Sequence, residues 1–217
     1  MLGWLVGQAA PDRIPLVRGL EGLTPSPDDL KALCAAFGTT SAAPMLHLAG
    51  HTPEAALPPA PDADHAEISP ADFARLWQMF NAGAEKVDLV ALGSPHFSVD
   101  ECAAFAALMD GTQVHPDVTA IITLGRTTAK TIAANGVAAR LQAAGVRMIP
   151  DLCWCSISEP VLPPKARVLM TNSGKYAHYA PGLSQRSVRF GPLAHCAEAA
   201  RTGLAPQAPP RWTRESH

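Results

Sequence analysis

The sequence has little charge, and its charges nearly cancel. Only 17% of its 217 residues are charged, against about a quarter in an average protein. The formal net charge is -2 at pH 7, so the chain has no basic surplus with which to attract nucleic acid or an anionic membrane. We therefore expect no nucleic-acid and no membrane partner. Low charge also fits a surface partly covered by another chain or lobe, although alanine-rich sequences share this property.

The sequence also lacks segments that direct a protein into or through a membrane. No apolar run approaches the ~20 residues that span a bilayer. The N-terminus has no basic segment followed by an apolar run and a cleavage site, so secretion is not expected. The five cysteines are then expected to be reduced thiols or metal ligands and not disulfides. These absences predict a soluble, cytoplasmic, globular chain.

Signals for helices and strands alternate along the chain at short intervals. The helix candidate SPADFARLWQMFNAG begins with Ser69 as N-cap and Pro70 in the first position. Strand candidates such as KVDLVALG, VTAIITLG and ARVLMTN are separated by alanine-rich helix candidates. One of these, RTTAKTIAANGVAARLQAAG, is expected to break near Gly136. The alternation predicts an α/β fold with a mostly parallel sheet.

Two segments stand apart from this alternation. Residues 52–67 are rich in Pro, Ala and Asp, which is typical of an exposed connection, and they are a possible lobe boundary. Residues 204–217 form a Pro-rich, polar stretch that is expected to be a disordered tail. The folded part is therefore predicted to be residues 1–203.

Unusual chemistry follows the strand candidates, where ligands of parallel sheets bind. After VDLVAL comes GSPHFSVDE, in which Ser98 and Glu101 have the spacing of a capping box and so have a structural interpretation. His96 precedes that helix start, and a histidine there can donate to a ligand or act as an acid or base. Spacing alone does not separate this interpretation from a structural one.

The second such segment is DLCWCS, residues 151–156, which carries two thiols one residue apart. Either Cys153 or Cys155 could reach a metal from an irregular loop, but a single Cys-x-Cys is a weak metal signal. Cysteine is also a common buried residue, so an inert thiol is the alternative. For Cys34, Cys102 and Cys196, which lie in alanine-rich helices, we expect inert core thiols.

The third segment, TNSGKYAHYAPG, spans residues 171–182 and contains the only two tyrosines of the chain. Its first three residues can cap a helix, which accounts for their hydroxyls and amide. Capping does not require a lysine, a histidine and two tyrosines as well. Lys175 could neutralise a substrate carboxylate, while the neighbouring hydroxyls and amide fix its orientation. Half-buried packing is the alternative for the tyrosines.

Four separated segments together resemble the catalytic part of the aconitase X family, an iron-dependent branch of the aconitase superfamily of hydro-lyases. They are, in chain order, GWLVGQAAPDRIPLVRGL, GSPHFSVDE, DLCWCSISEPVLPP and TNSGKYAHYAPGLSQRSVRFGPLAHCAEAARTG. The resemblance covers nearly the whole chain except the Pro/Ala-rich connection and the tail. The residues of the last two segments are most similar to those of the bacterial cis-3-hydroxy-L-proline dehydratases. Archaeal relatives, which dehydrate mevalonate 5-phosphate, typically have cysteine where this chain has Ser94.

The resemblance implies an aconitase-like layered fold and the loss of water from cis-3-hydroxy-L-proline or a similar small hydroxy acid. It implies iron, as an Fe–S cluster or a mononuclear centre, with Cys153 as a ligand and Cys155 as a weaker candidate. The residues expected to be catalytic are Ser173, Lys175 and His96. Those expected to bind substrate are Ser94, Thr171, Asn172, Tyr176 and Tyr179.

The resemblance also implies an incomplete site, since the chain matches only the C-terminal half of the family's catalytic subunit. An N-terminal half and a small swivelling subunit or domain would complete it. Two alternatives stay open: a hydro-lyase acting on mevalonate 5-phosphate, and a non-catalytic assembly partner or remnant. The absence of a glycine-rich loop followed by Lys-Ser/Thr argues against the phosphorylated substrate.

Overall fold

The chain forms two compact units in a computed structural model that describes residues 1–206. The division falls after Leu76, whereas the predicted boundary at 52–67 lies inside the first unit. The Pro/Ala-rich connection therefore lies within the first unit. Within residues 1–206 no helix is both long and apolar enough to cross a membrane.

The first unit is built around two helices and a two-stranded parallel sheet. Ser26 caps the second helix in a reciprocal capping box with Asp29, and Pro27 is its first residue. A side chain at Gly3 would lie 2.1 Å from the carbonyl oxygen of Leu33, so glycine allows the two helices to approach closely. The elements are α1 (Leu2–Ala9), β1 (Leu16–Val17), α2 (Pro27–Phe37), β2 (His47–Leu48) and a 3₁₀ helix (Pro53–Ala56). The next helix, α3 (Pro70–Phe80), contains the division after Leu76.

The second unit contains a five-stranded sheet in which every pair of neighbours is parallel. The spatial order is β5-β4-β3-β6-β7, so β3 is central. The central strand is apolar on both faces because helices cover both, as expected for a parallel sheet. The predicted mostly parallel α/β fold is confirmed. The strands are β3 (Leu89–Phe97), β4 (Thr119–Leu124), β5 (Arg147–Pro150), β6 (Val168–Thr171) and β7 (Ser187–Phe190).

Four helices lie between these strands along the chain, and a fifth follows β7. Ser98 and Glu101 form the predicted capping box, and the predicted break at Gly136 separates two helices at a residue with φ of 83°. Cys102 and Cys196 are buried as expected, but Cys34 is exposed on α2, so its assignment to the core was wrong. The helices are α4 (Val99–Leu108), α5 (Arg126–Ala134), α6 (Val137–Ala143), α7 (Gly174–Ser184) and α8 (Leu193–Thr202).

Residues just beyond α8 take part in the fold. Leu204 forms an antiparallel bridge with Lys86, and Ala205 is buried and donates its N–H to the carbonyl of Glu85 at 2.8 Å. Pro206 accepts a hydrogen bond from the Arg189 side chain at 3.2 Å. The ordered part thus extends past residue 203, and the remainder of the predicted tail, 207–217, lies outside the described residues.

Candidate functional site

All three polar segments lie at the carboxyl edge of the same sheet. GSPH belongs to the end of β3, TNSGK follows β6, and DLCWC follows β5. β3 and β6 are neighbours, but β4 lies between β3 and β5. The first two segments are therefore brought together by the sheet itself, whereas the thiols can reach them only if their loop crosses the end of β4.

The end of β3 is shaped by Gly93. The strand continues to Phe97 and does not end at Leu92 as predicted, but its pairing with β4 changes register between these two residues. Gly93 has φ of +95°, and a side chain there would lie 2.1 Å from the carbonyl oxygen of Thr123. The Thr123 hydroxyl donates to the Gly93 carbonyl at 2.7 Å. Only glycine fits this close approach, which redirects the residues that follow.

Ser94 comes next and is only 4% exposed. Its hydroxyl is buried and has no hydrogen-bond partner among residues 1–206. A buried polar group without a partner costs about 1–3 kcal/mol, so such groups are rare and are often found where a ligand or ion binds. The backbone carbonyl of Ser94 is satisfied, since it accepts a hydrogen bond from the Ser173 hydroxyl.

The start of α7 forms the neighbouring wall of the site. Ser173 is the N-cap: its hydroxyl accepts from the N–H of Tyr176 at 3.0 Å, and its own N–H donates to the Thr171 hydroxyl at 3.2 Å. Thr171 is fully buried and Asn172 is half-buried. Capping thus occupies Ser173, while the half-buried Lys175 stands in the first turn, where the helix dipole favours anions.

The two tyrosines predicted to bind substrate have different environments. Tyr176 is 1% exposed, and its hydroxyl shares a hydrogen bond with Ser184. Burial raises the pKa of Tyr176 to about 12, so its phenol stays protonated at neutral pH. Tyr179 is half-buried and meets His178 edge to face at 4.9 Å between ring centres. Tyr176 is therefore part of the core, and of the two tyrosines only Tyr179 has an exposed part.

Residues 151–156, which we call the thiol loop, cross from β5 to the centre of the sheet. Trp154 is 1% exposed and donates its indole N–H to the carbonyl of Leu92 on β3 at 2.7 Å. Its ring lies 5.1 Å from that of Tyr176. Cys153 is exposed and Cys155 is half-buried. The loop thereby delivers both predicted metal ligands to the start of α7.

The thiols are close enough to each other and to Lys175 for their charges to interact. Desolvation, followed by the neighbouring Cys153, raises the pKa of the Cys155 thiol, and Lys175 acts in the opposite direction. A metal bound here would favour the thiolate forms, because thiols coordinate after losing their protons.

The beginning of the thiol loop is held in place by hydrogen bonds of three residues, His96, Asp151 and Arg126. The His96 ring donates from Nε2 to the Leu152 carbonyl at 2.8 Å. Asp151 accepts from Arg126 twice, from the backbone N–H at 3.0 Å and from Nε at 2.6 Å. The first of these bonds is the largest reason that the pKa of Asp151 is lowered. Sequence reasoning missed Arg126, although its place directly after a strand, at the start of a helix, was an available signal.

The described residues bring together too few donor side chains to hold a metal ion by themselves. Across residues 1–206, no three His, Cys, Asp or Glu side chains come together in a group that could hold a metal ion. Cys153 and Cys155 supply two soft thiol ligands that suit iron, and the unpartnered Ser94 hydroxyl lies on the same sheet edge. These donors fit one side of an iron centre, whose other ligands would come from outside this part of the chain.

Comparison with protein families gives two matches that together cover most of the chain. The model of the aconitase X second domain matches residues 1–78, and that of the aconitase X third domain matches residues 87–202. The junction between the two matches agrees with the division of the structure after Leu76.

Three individual proteins that are similar to this chain are named as dehydratases. A cis-3-hydroxy-L-proline dehydratase from Pseudomonas aeruginosa is 45% identical over 99% of this chain and 38% of its own length. One from Hypocrea jecorina is 42% identical over 94% of this chain and 35% of its own length. The phosphomevalonate dehydratase large subunit of Methanocaldococcus jannaschii is 27% identical over 88% of this chain and 47% of its own length. The chain thus spans less than half the length of these curated relatives.

The crystal structure of aconitase X from Thermococcus kodakaraensis, in its holo-form, is similar in fold. The TM-score is 0.81 at 26% sequence identity, over 92% of this chain and 50% of the other. The likeness extends over both compact units.

Proposed function

This chain belongs to the aconitase X family, and we propose that it is part of a hydro-lyase that removes water from cis-3-hydroxy-L-proline or a similar small hydroxy acid. The observation that carries the proposal is the convergence at one sheet edge of the thiol loop, Lys175 and the start of α7. The 45% identity to a curated dehydratase of this substrate supports it.

The start of α7 is suited to bind the substrate carboxylate. The first turn of a helix presents unpaired backbone N–H groups, and its dipole favours an anion. Lys175 stands in the same turn, beside the proposed position of the carboxylate. Asn172 and the half-buried Tyr179 provide neighbouring polar groups that could orient a small ring.

Cys153 and Cys155 would hold iron as a cluster or a single ion, together with ligands from elsewhere in the enzyme. When bound, iron would act as a Lewis acid on the departing hydroxyl, which is otherwise a poor leaving group. The thiol of Cys155 is near enough to Lys175 for their charges to interact, which supports a site where the hydroxyl and the carboxylate of one small substrate could be held at the same time.

Lys175 is the candidate for removing the proton next to the carboxylate. The other two predicted catalytic residues already have structural tasks: the Ser173 hydroxyl caps α7 and donates to Ser94, and His96 donates to Leu152. We therefore place Lys175 ahead of Ser173 and His96 in proton transfer.

The complete enzyme would contain more than this chain. Since the curated dehydratases are much longer, we propose that an N-terminal part and a small swivelling domain or subunit complete the site, in the cytoplasm. Mevalonate 5-phosphate is the second candidate substrate, because large subunits named for phosphomevalonate dehydration are also relatives. Their lower identity, and the lack of a glycine-rich phosphate loop here, favour the hydroxyproline.

The test is a dehydration assay with iron under anaerobic conditions. The chain is assembled with the remaining parts of the enzyme, and cis-3-hydroxy-L-proline and mevalonate 5-phosphate are followed separately by proton NMR. We expect loss of water from the hydroxyproline. Turnover of only the phosphorylated substrate would replace the first candidate by the second, and no turnover with no bound iron would favour a non-catalytic assembly partner.

The same assembly tests the iron ligands. Cys153→Ser should lower the iron content at least tenfold under limiting iron, because serine is a poor substitute for a thiolate ligand. Cys34→Ser is the matched control, since Cys34 is also an exposed thiol but lies on α2. Equal iron content in both variants would remove Cys153 from the proposed ligands.

A further inference from the structure

The thiol loop depends on one side chain for its position over the sheet. Cys153 and Cys155 flank Trp154, which is almost wholly buried. Trp154 donates its indole N–H to a carbonyl of the central strand, whereas within residues 1–206 neither thiol forms a hydrogen bond with the sheet. The direction of both thiols is therefore set by how the indole is seated.

Two contacts seat the indole, and each depends on a feature of the strand ends. The carbonyl of Leu92, which accepts from Trp154, lies where the pairing of β3 with β4 begins to change register, between Leu92 and Phe97. The ring of Tyr176 lies 5.1 Å from the indole at an angle of 37°, so the first turn of α7 forms the other side of the seat. The indole thus links the loop to β3 and α7 at once.

The backbone around Trp154 is consistent with a fixed position. Residues Trp154–Ser156 form a short 3₁₀ helix, in which the Ser156 N–H donates to the Cys153 carbonyl at 2.9 Å. The Ser156 hydroxyl donates to the same carbonyl at 3.0 Å. A rotation of Trp154 would therefore carry both cysteines with it.

We infer that Trp154 is a positioning residue that holds the two thiols against the start of α7 through its indole N–H. The inference deepens the proposed function, because these thiols are the proposed iron ligands. It concerns the geometry of the loop alone, so it can be tested without iron or turnover. A failed dehydration assay would leave it standing, and its own failure would leave the dehydratase proposal intact.

The experiment measures the alkylation rate of each cysteine by iodoacetamide, with mass spectrometry to locate the label. In the unaltered chain we expect Cys153 to react before the half-buried Cys155. Trp154→Phe keeps an aromatic ring but removes the N–H donor. It should raise the rate at Cys155 about fivefold relative to Cys153, which is the effect of one ordinary hydrogen bond on local opening. Trp154→Ala should raise it further.

The chain contains its own controls. Cys102 and Cys196 are fully buried in the core, so their alkylation would report loss of the whole fold and not of the loop. Trp77→Phe is the matched substitution, because Trp77 is also buried but packs on Phe190 at 6.0 Å. If Cys102 is alkylated in the Trp154→Ala variant, that variant has lost its fold, and the test then rests on the Trp154→Phe variant. An unchanged ratio of Cys155 to Cys153 labelling in a folded Trp154→Phe variant would overturn the inference.

Discussion

The start of α7 and the thiol loop lie against each other, yet they are held in different ways. Thr171 and Ser173 are buried and bonded to each other and to the end of β3. The thiol loop is largely exposed, and side chains anchor it: Trp154 to Leu92, His96 to Leu152, and Asp151 to Arg126. The start of α7 thus continues directly from the sheet, whereas the thiol loop is held to the sheet by side chains.

This difference matches the chemistry proposed for each wall. A carboxylate site gains from fixed N–H groups, because preorganised groups lose little entropy on binding. A metal site must admit its ion and then close around it, so an anchored loop suits it better than an element of the core. A substitution in one wall leaves the other wall unaltered as the reference.

Lys175→Ala should produce the largest effect. We expect turnover by the complete enzyme to fall about a hundredfold or more, as is usual when a group active in proton transfer is removed. The folded state should be unaffected, because Lys175 is a half-buried side chain in the first turn of α7.

Lys130→Ala on the exposed face of α5 is the control for lost positive charge, and its turnover should be normal. The measurement is kcat and KM, with circular dichroism to check the fold. Normal turnover in the Lys175 variant would remove this lysine from the mechanism.

Ser173→Ala and Ser156→Ala compare one hydroxyl from each wall. Ser173 caps α7 and donates to Ser94, so its loss should lower the free energy of unfolding by about 1–2 kcal/mol. Ser156 donates to a single carbonyl at an exposed position, and its loss should cost less than about 0.5 kcal/mol. Urea unfolding measures both, and equal losses would contradict the distinction between the two walls.

The smallest effect is expected in acid, at the beginning of the thiol loop. The Arg126 backbone N–H and guanidinium lower the pKa of Asp151 in the folded state. A carboxyl group of this kind stabilises the fold above its ordinary pKa, and the contribution is lost as the pH falls through the folded value. Asp151→Asn should therefore be slightly less stable than the unaltered chain at pH 6, and the difference should disappear in strong acid.

Urea titrations at a series of pH values would check this. Asp64→Asn, at an exposed position in the Pro/Ala-rich connection, provides the reference. A difference that grows as the pH falls would have the wrong sign and would contradict the assigned role of Asp151.

Local signals in the sequence were enough to predict the elements of the second unit. The cap at Ser98 and the break at Gly136 lie where predicted, because capping and left-handed conformations depend on residues only a few positions apart. The exposure of Cys34 was not predictable in this way, since an alanine-rich helix does not show which of its faces is covered.

The candidate site was predictable residue by residue, but its arrangement was not. The sequence indicated that polar groups follow strands, and it could not show that Tyr176 is buried while Tyr179 is not. The link between Arg126 and Asp151 joins residues from two strand ends, so no short spacing reveals it.

By itself, the sequence determined the α/β class, the caps and the placing of reactive residues at strand ends, because these follow from patterns within a few residues of the chain. Only the tertiary structure decided that β3 is central and that β4 separates it from β5. That order requires the thiol loop to cross the sheet and makes Trp154 its anchor. The physical reason is that strand order and side-chain burial depend on contacts between distant parts of the chain, which no local pattern contains.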